Sequence, residues 1–167
     1  MYRQLCAIIN LDQSKLGNVF RQSNHENLLM SSKEIQHLRE LISILERFSE
    51  ATDITQGEKM ITISCVVPTN LLLAKTLSDM MGQQTTFMVL VRNLLQGLHD
   101  RFHDIFVSLG LPRPSEIAPL DRCRILKFDD NLLMMATALD PAFGYHWLQD
   151  HPGDVEAKQQ LRLRING

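Results

Sequence analysis

Residues 31–48 constrain this chain more than any other stretch. Ser31-Ser32-Lys33-Glu34 sets a serine three residues ahead of a glutamate, the spacing at which each side chain reaches the other's free backbone N–H at a helix start. Behind it Ile35, Leu38, Leu41, Ile42, Leu45 and Phe48 recur at helical spacing, with Lys33, Arg39, Glu40, Glu46 and Arg47 on other faces. The stripe predicts a long amphipathic helix, and its apolar side needs partner helices.

The remainder of the chain offers them. Tyr2 to Ile9 reads as a first helix with no convincing N-cap, which suggests an element that is longer elsewhere. A weak helix around Gln13–Arg21 is interrupted by Gly17, and Ser23 to Asn27 is a polar loop. Thr52 to Lys59 breaks the long helix, with Gly57 in a turn. Residues Met60 to Val67 alternate in part, as a short strand does, and Pro68 either ends a strand or kinks a helix. Leu71, Leu72, Lys75 and Met80 then look helical up to Gly82. Thr85 or Thr86 caps another long helix whose stripe runs from Phe87 through Leu90, Val91, Leu94, Leu98, Phe102 and Ile105 to Leu109, with Gly110 as its end. Pro112, Pro114 and Pro119 mark an extended loop, and the segment 111–127 divides a single 1–167 domain. A helix from Asp129 or Asp130 to Pro141 and a polar one over Asp154 to Ile165 complete a mainly all-α helical bundle.

Composition narrows the class. Hydrophobic residues make up 44%, charged residues 22% and aromatics 6%, so Leu, Ile, Val and Met fill an ordinary globular core. The net charge of −2 lacks the basic excess of a domain that grips nucleic acid unaided. Arg122, Arg124 and Lys127 sit beside Asp121, Asp129 and Asp130, and this group together with Arg162 and Arg164 reads as solvated surface. Cys6, Cys65 and Cys123 have no metal-ligand spacing and fit reduced thiols of the cytoplasm or nucleus. Neither a signal peptide nor a membrane-length apolar run is seen.

Chemical motifs are few. His99-Asp100-Arg101-Phe102-His103 places two histidines at i and i+4, a metal-sharing spacing, with Asp100 where zinc proteases use glutamate. No third ligand is evident, and both histidines flank the apolar stripe, so a boundary face is preferred over a small metal-binding helical protein. Asp129-Asp130 suits helix capping better than metal binding, and Asp140 before Pro141 suits a helix-ending turn. Tyr145 and Trp147 suit a core or interface better than base stacking. No nucleophile motif and no phosphate-cradling glycine loop occurs. The expectation is no enzyme, no cofactor, and no catalytic, cofactor-binding or metal-binding residue.

Three phrases in order carry a resemblance. They are Leu45-Glu46-Arg47-Phe48-Ser49-Glu50-Ala51-Thr52; Gly57-Glu58-Lys59 leading through Thr62, Ser64 and Val67 to Pro68; and Ala136-Thr137-Ala138-Leu139-Asp140-Pro141-Ala142-Phe143. This succession resembles the helical part of hAT-superfamily transposases and of the BED-type zinc-finger proteins descended from them, over about Ser31 to Trp147. Ile35 stands where the family has Trp, Arg47 replaces Pro, and Ala142 and Gly144 replace Arg and Lys. The last two changes weaken any contact of that phrase with DNA phosphate. The resemblance implies part of an RNase H-like/insertion region, a nuclear setting, and DNA contact through added domains. It also implies that the three metal-holding acids of transposition lie before and after this region, with no zinc finger or dimerisation segment here. The functional expectation is therefore a non-catalytic, transposase-derived helical domain that interacts with a protein partner or with itself. A truncated transposase fragment without independent function is the alternative.

Overall fold

The computed structural model describes residues 2–56, 63–83, 85–111, 113–118 and 130–144. Among these residues the secondary structure is helical throughout, with no strand. The elements are α1 (Tyr2–Ile9), α2 (Gln13–Gln22), a 3-10 turn at Glu26–Leu28, α3 (Ser32–Thr55), a 3-10 turn at Ile63–Cys65, α4 (Val66–Met81), α5 (Met88–Arg101), α6 (His103–Ser108) and α7 (Asp130–Leu139). The predicted helix over 154–165, the Gly57–Lys59 turn, Cys123, the 122–127 basic group, Asp129, Tyr145 and Trp147 lie outside the described residues.

The start of α3 forms as its sequence dictates. The Ser31 hydroxyl accepts from the Glu34 N–H at 3.2 Å, and the Glu34 carboxylate accepts from the Ser31 N–H at 2.7 Å. The Ser31 hydroxyl also donates to that carboxylate at 2.8 Å, and the bonds from the Ser31 N–H and hydroxyl hold the Glu34 carboxyl below its ordinary value of 4.5. The helix runs past the expected break at Thr52. The Thr52 and Thr55 hydroxyls donate to the carbonyls of Phe48 and Ala51 one turn back, at 2.7 and 2.8 Å, so their hydroxyls are satisfied within the helix.

Burial along α3 departs from the expected stripe. Ile44, outside that stripe, is the buried residue of the helix at 2% exposure, and Phe48 and Ala51 pack beside it against the core. Leu38, Leu41, Ile42 and Leu45 are only half-buried. The helix thus divides its apolar surface between the core and α1, which packs along it.

The strand option for 60–67 fails where the structure describes it. Ile63–Cys65 is a 3-10 turn that leads directly into α4. Pro68 lies within the first turn of α4, where its missing N–H would have had no intrahelical acceptor. The helix therefore begins before the proline, without a kink. Gly82 follows the last residue of α4 with φ of −73°, so it ends the helix in ordinary right-handed geometry.

The single helix expected from Phe87 to Leu109 is two. Phe102, at φ −115° and ψ 34°, separates α5 from α6. Neither threonine caps α5: the Thr85 hydroxyl is buried without a partner among the described residues, and the Thr86 N–H donates to Glu40 of α3 at 2.8 Å. His37 of α3 meets Phe87 edge-on at 6.3 Å, so the start of α5 is fastened by α3 instead. At the other end, Gly110 adopts φ of 66°. Its N–H reaches the Val107 carbonyl, and the Leu111 N–H reaches that of Phe106, the paired bonds of a left-handed helix terminus.

The core is centred on α4, which packs against α3, α5 and α7. Val67, Leu71 and Leu77 of α4 interlock with Val91, Leu95 and Leu98 of α5, Ile105 and Phe106 of α6, Ile117 and Met134. By contrast α1 buries no residue and α2 only Gly17, while Ile8, Leu11, Val19 and Leu28 are exposed. Gly17 does not interrupt α2; its closest neighbour, the Leu29 side chain, leaves ordinary contact distance.

Candidate functional site

Two distant segments, each part of a phrase noted in the sequence, meet in the fold. The 3-10 turn at Ile63–Cys65 packs on α7. Thr137, fully buried, donates its hydroxyl to the Ser64 carbonyl at 2.8 Å, within reach also of the Leu133 carbonyl one turn back at 2.9 Å. The Ser64 hydroxyl, on a residue 2% exposed, donates to Asp140 Oδ2. The Asp140 Oδ1 accepts from the Ala142 N–H at 2.9 Å, and its backbone carbonyl accepts from Phe143 and Gly144. Asp140 is thus the helix-ending turn expected from its place before Pro141, and also one jaw of a clasp. The Ser64 hydroxyl, then the Ala142 N–H, hold its carboxyl below the ordinary 3.8.

The two hydroxyls of the clasp are both engaged, Thr137 on the Ser64 carbonyl and Ser64 on Asp140. The Ser64 hydroxyl donates to a carboxylate and, among the described residues, has no histidine partner to take its proton, which suits joinery and not nucleophilic attack. Beside the clasp lies a groove of about 370 Å³ lined by Ile63, Ser64, Ala136, Leu139, Asp140 and Pro141. Leu139 is 74% exposed and Met135 44% exposed on the outer side of α7. A second, smaller groove of about 260 Å³ lies where Tyr2 of α1 meets Leu45, Phe48, Ser49, Thr52 and Asp53 of α3. There the Tyr2 hydroxyl is pushed up to about 12, first by its Cys6 neighbour.

The paired histidines end in different places. The break at Phe102 puts His99 in α5 and His103 at the start of α6. His99 is 5% exposed and stacks on Phe106 with ring centroids 4.2 Å apart. Burial, reinforced by the nearby Arg113 cation, lowers it from 6.5 to about 4 and keeps it neutral at pH 7. Asp100, at the position of the zinc-protease glutamate, is instead paired with Arg113, which also donates its Nε–H to the Ala118 carbonyl at 2.8 Å. That pair ties the proline-rich loop to α5 and lets Ile117 enter the core. Among the described residues no three His, Cys, Asp or Glu side chains are grouped to hold a metal ion. Cys6 and Cys65 are free thiols.

The sequence missed Ser64 and Thr137 as partners. The only signal was their presence in two separate phrases, since nothing local links residues 73 positions apart. No helix among the described residues is long and apolar enough to cross a membrane. The chain matches no protein-family model, no curated protein and no solved structure.

Proposed function

We propose that this chain is a non-catalytic, transposase-derived helical domain that serves as an interaction or scaffold module of a nuclear, DNA-associated protein. One observation carries the reading: the Ser64 and Thr137 hydroxyls are consumed in joining α7 to the turn before α4, while the surface beside them presents apolar groups to solvent. A surface of that kind suits protein contact. The transposase origin rests on the resemblance, and the clasp gives two of its phrases a common structural purpose. Sedimentation and thermal unfolding of the purified chain, with and without duplex DNA, test the proposal. A monodisperse species with one cooperative transition is expected. A DNA-dependent shift would move the reading to nucleic-acid binding by the chain itself.

The fragment reading has one observation in its favour, the exposure of Ile8, Leu11, Val19 and Leu28 on the α1–α2 arm. Aggregation or a broad, non-cooperative melt would establish it in place of the module.

A further inference from the structure

We infer that the outer face of α7 docks a short cationic amphipathic helix of a partner protein, its apolar anchors on Met135 and Leu139 and a basic side chain against Asp140. The inference rests on the interaction-module reading and specifies the partner's chemistry.

Shape comes first. Met135 and Leu139 are one turn apart, a rise of about 6 Å, which matches the i, i+4 anchors of a helix lying in a groove. The adjoining groove offers Ile63, Ala136 and Pro141 as apolar walls. Methionine is flexible enough to fit a range of apolar anchors.

Charge selects among the occupants. Among the described residues Asp140 is the one charged residue lining the groove. An ionised carboxylate has about four acceptor positions. The Ser64 hydroxyl and the Ala142 N–H occupy two of those on Asp140. A wholly apolar occupant would strip water from the remaining ones without replacing it, which is costly. A lysine or arginine on the incoming helix replaces that water with a charge-assisted hydrogen bond. A second copy of this chain fits poorly. From Asp130 to Asp140 the sequence has two carboxylates and no basic residue, so two-fold pairing of α7 with itself adds like charges without an offsetting cation. An anionic lipid surface is disfavoured for the same reason.

The test uses the full chain and two fluorescent helical peptides of about 16 residues, long enough to hold helix. One combines Leu with Lys, and the other has Glu in place of every Lys. Anisotropy is read at low and physiological salt. The Lys peptide is expected to bind about tenfold or more tightly than its Glu counterpart, with the advantage shrinking as salt rises. Leu139→Lys and Met135→Lys each weaken it by about tenfold, while Leu72→Lys, on exposed α4 surface outside the groove lining, leaves it nearly unchanged. All three sites are exposed, so an unchanged melting temperature verifies the fold of each variant.

Equal affinity for the two peptides, lost in Leu139→Lys, overturns the cationic partner but leaves the interaction module standing. Indifference to both α7 substitutions overturns the docking face. A dimer in sedimentation that Leu139→Lys dissolves, or a photo-crosslinker at position 139 that captures residues 145–167 of its own chain, replaces the proposed occupant with another and overturns it too. The module reading fails separately, by aggregation or a non-cooperative melt of the chain alone.

Discussion

A single hydroxyl shows how this molecule is joined. Thr137→Val keeps the shape of the side chain but strips the Ser64 carbonyl of its donor inside a closed contact. Leaving a buried acceptor unsatisfied costs about 1–3 kcal/mol, so urea unfolding of Thr137→Val should show a loss of that size with an unchanged slope. His99 sets a pH dependence. Above its ordinary 6.5 it is neutral whether the chain is folded or not. Between 6.5 and about 4 the unfolded chain takes up a proton that the folded one refuses, so stability falls as the pH drops through that window. The shift corresponds to at most about 3 kcal/mol. Denaturation at stepped pH should record the decline, and His99→Gln should flatten it. Asp140, held down by Ser64 and Ala142, adds its own loss only below its ordinary 3.8. Asp140 as a turn was readable from the proline after it. Its second role was not, because hydrogen bonding to Ser64 depends on where two helices end in space. The burial of His99 was equally hidden, since its place in the sequence suits the edge of a stripe as well as the centre.

Helix ends were legible where the determinant is local. Ser31 and Glu34 find each other within one turn, and Gly110 supplies the left-handed residue that stops α6. The break at Phe102 was invisible because the apolar spacing from Phe87 to Leu109 continues across it. It shows only in the backbone of Phe102, which leaves helical geometry between α5 and α6. The same logic moved the buried edge of α3 to Ile44, since a helix with partners on two sides has no single stripe. Two glycines separate helix propensity from backbone need. Gly97 sits inside α5 with nothing within 4 Å of an added Cβ, so Gly97→Ala should raise stability by about 0.5–1 kcal/mol. Gly110, at φ 66°, should lose about 1–2 kcal/mol as alanine. Equilibrium unfolding of the pair should give opposite signs.

At the scale of the whole molecule, burial is uneven. The helices α4, α5 and α6 hold most of the closed side chains, whereas α1 contributes none. Native-state hydrogen exchange should therefore show the slowest amides in α4 and α5 and the fastest in α1 and α2. Equal protection along the chain would contradict that picture. The all-helical class was legible from periodicity alone, and the partition into a core and an arm was not. The apolar residues of α1 look as core-worthy in sequence as those of α5, but among the described elements α1 packs chiefly on α3 and buries no residue. The clasp also has a history written into its spacing. Ser64 leaves the ribosome 73 residues ahead of Thr137. At about 5–20 residues per second, roughly 4–15 s pass before the partner is even synthesised. Through that interval the turn before α4 waits with an unclaimed carbonyl and an uncovered apolar flank, so a nascent chain stalled between the two residues is the form of this protein that a chaperone would recognise.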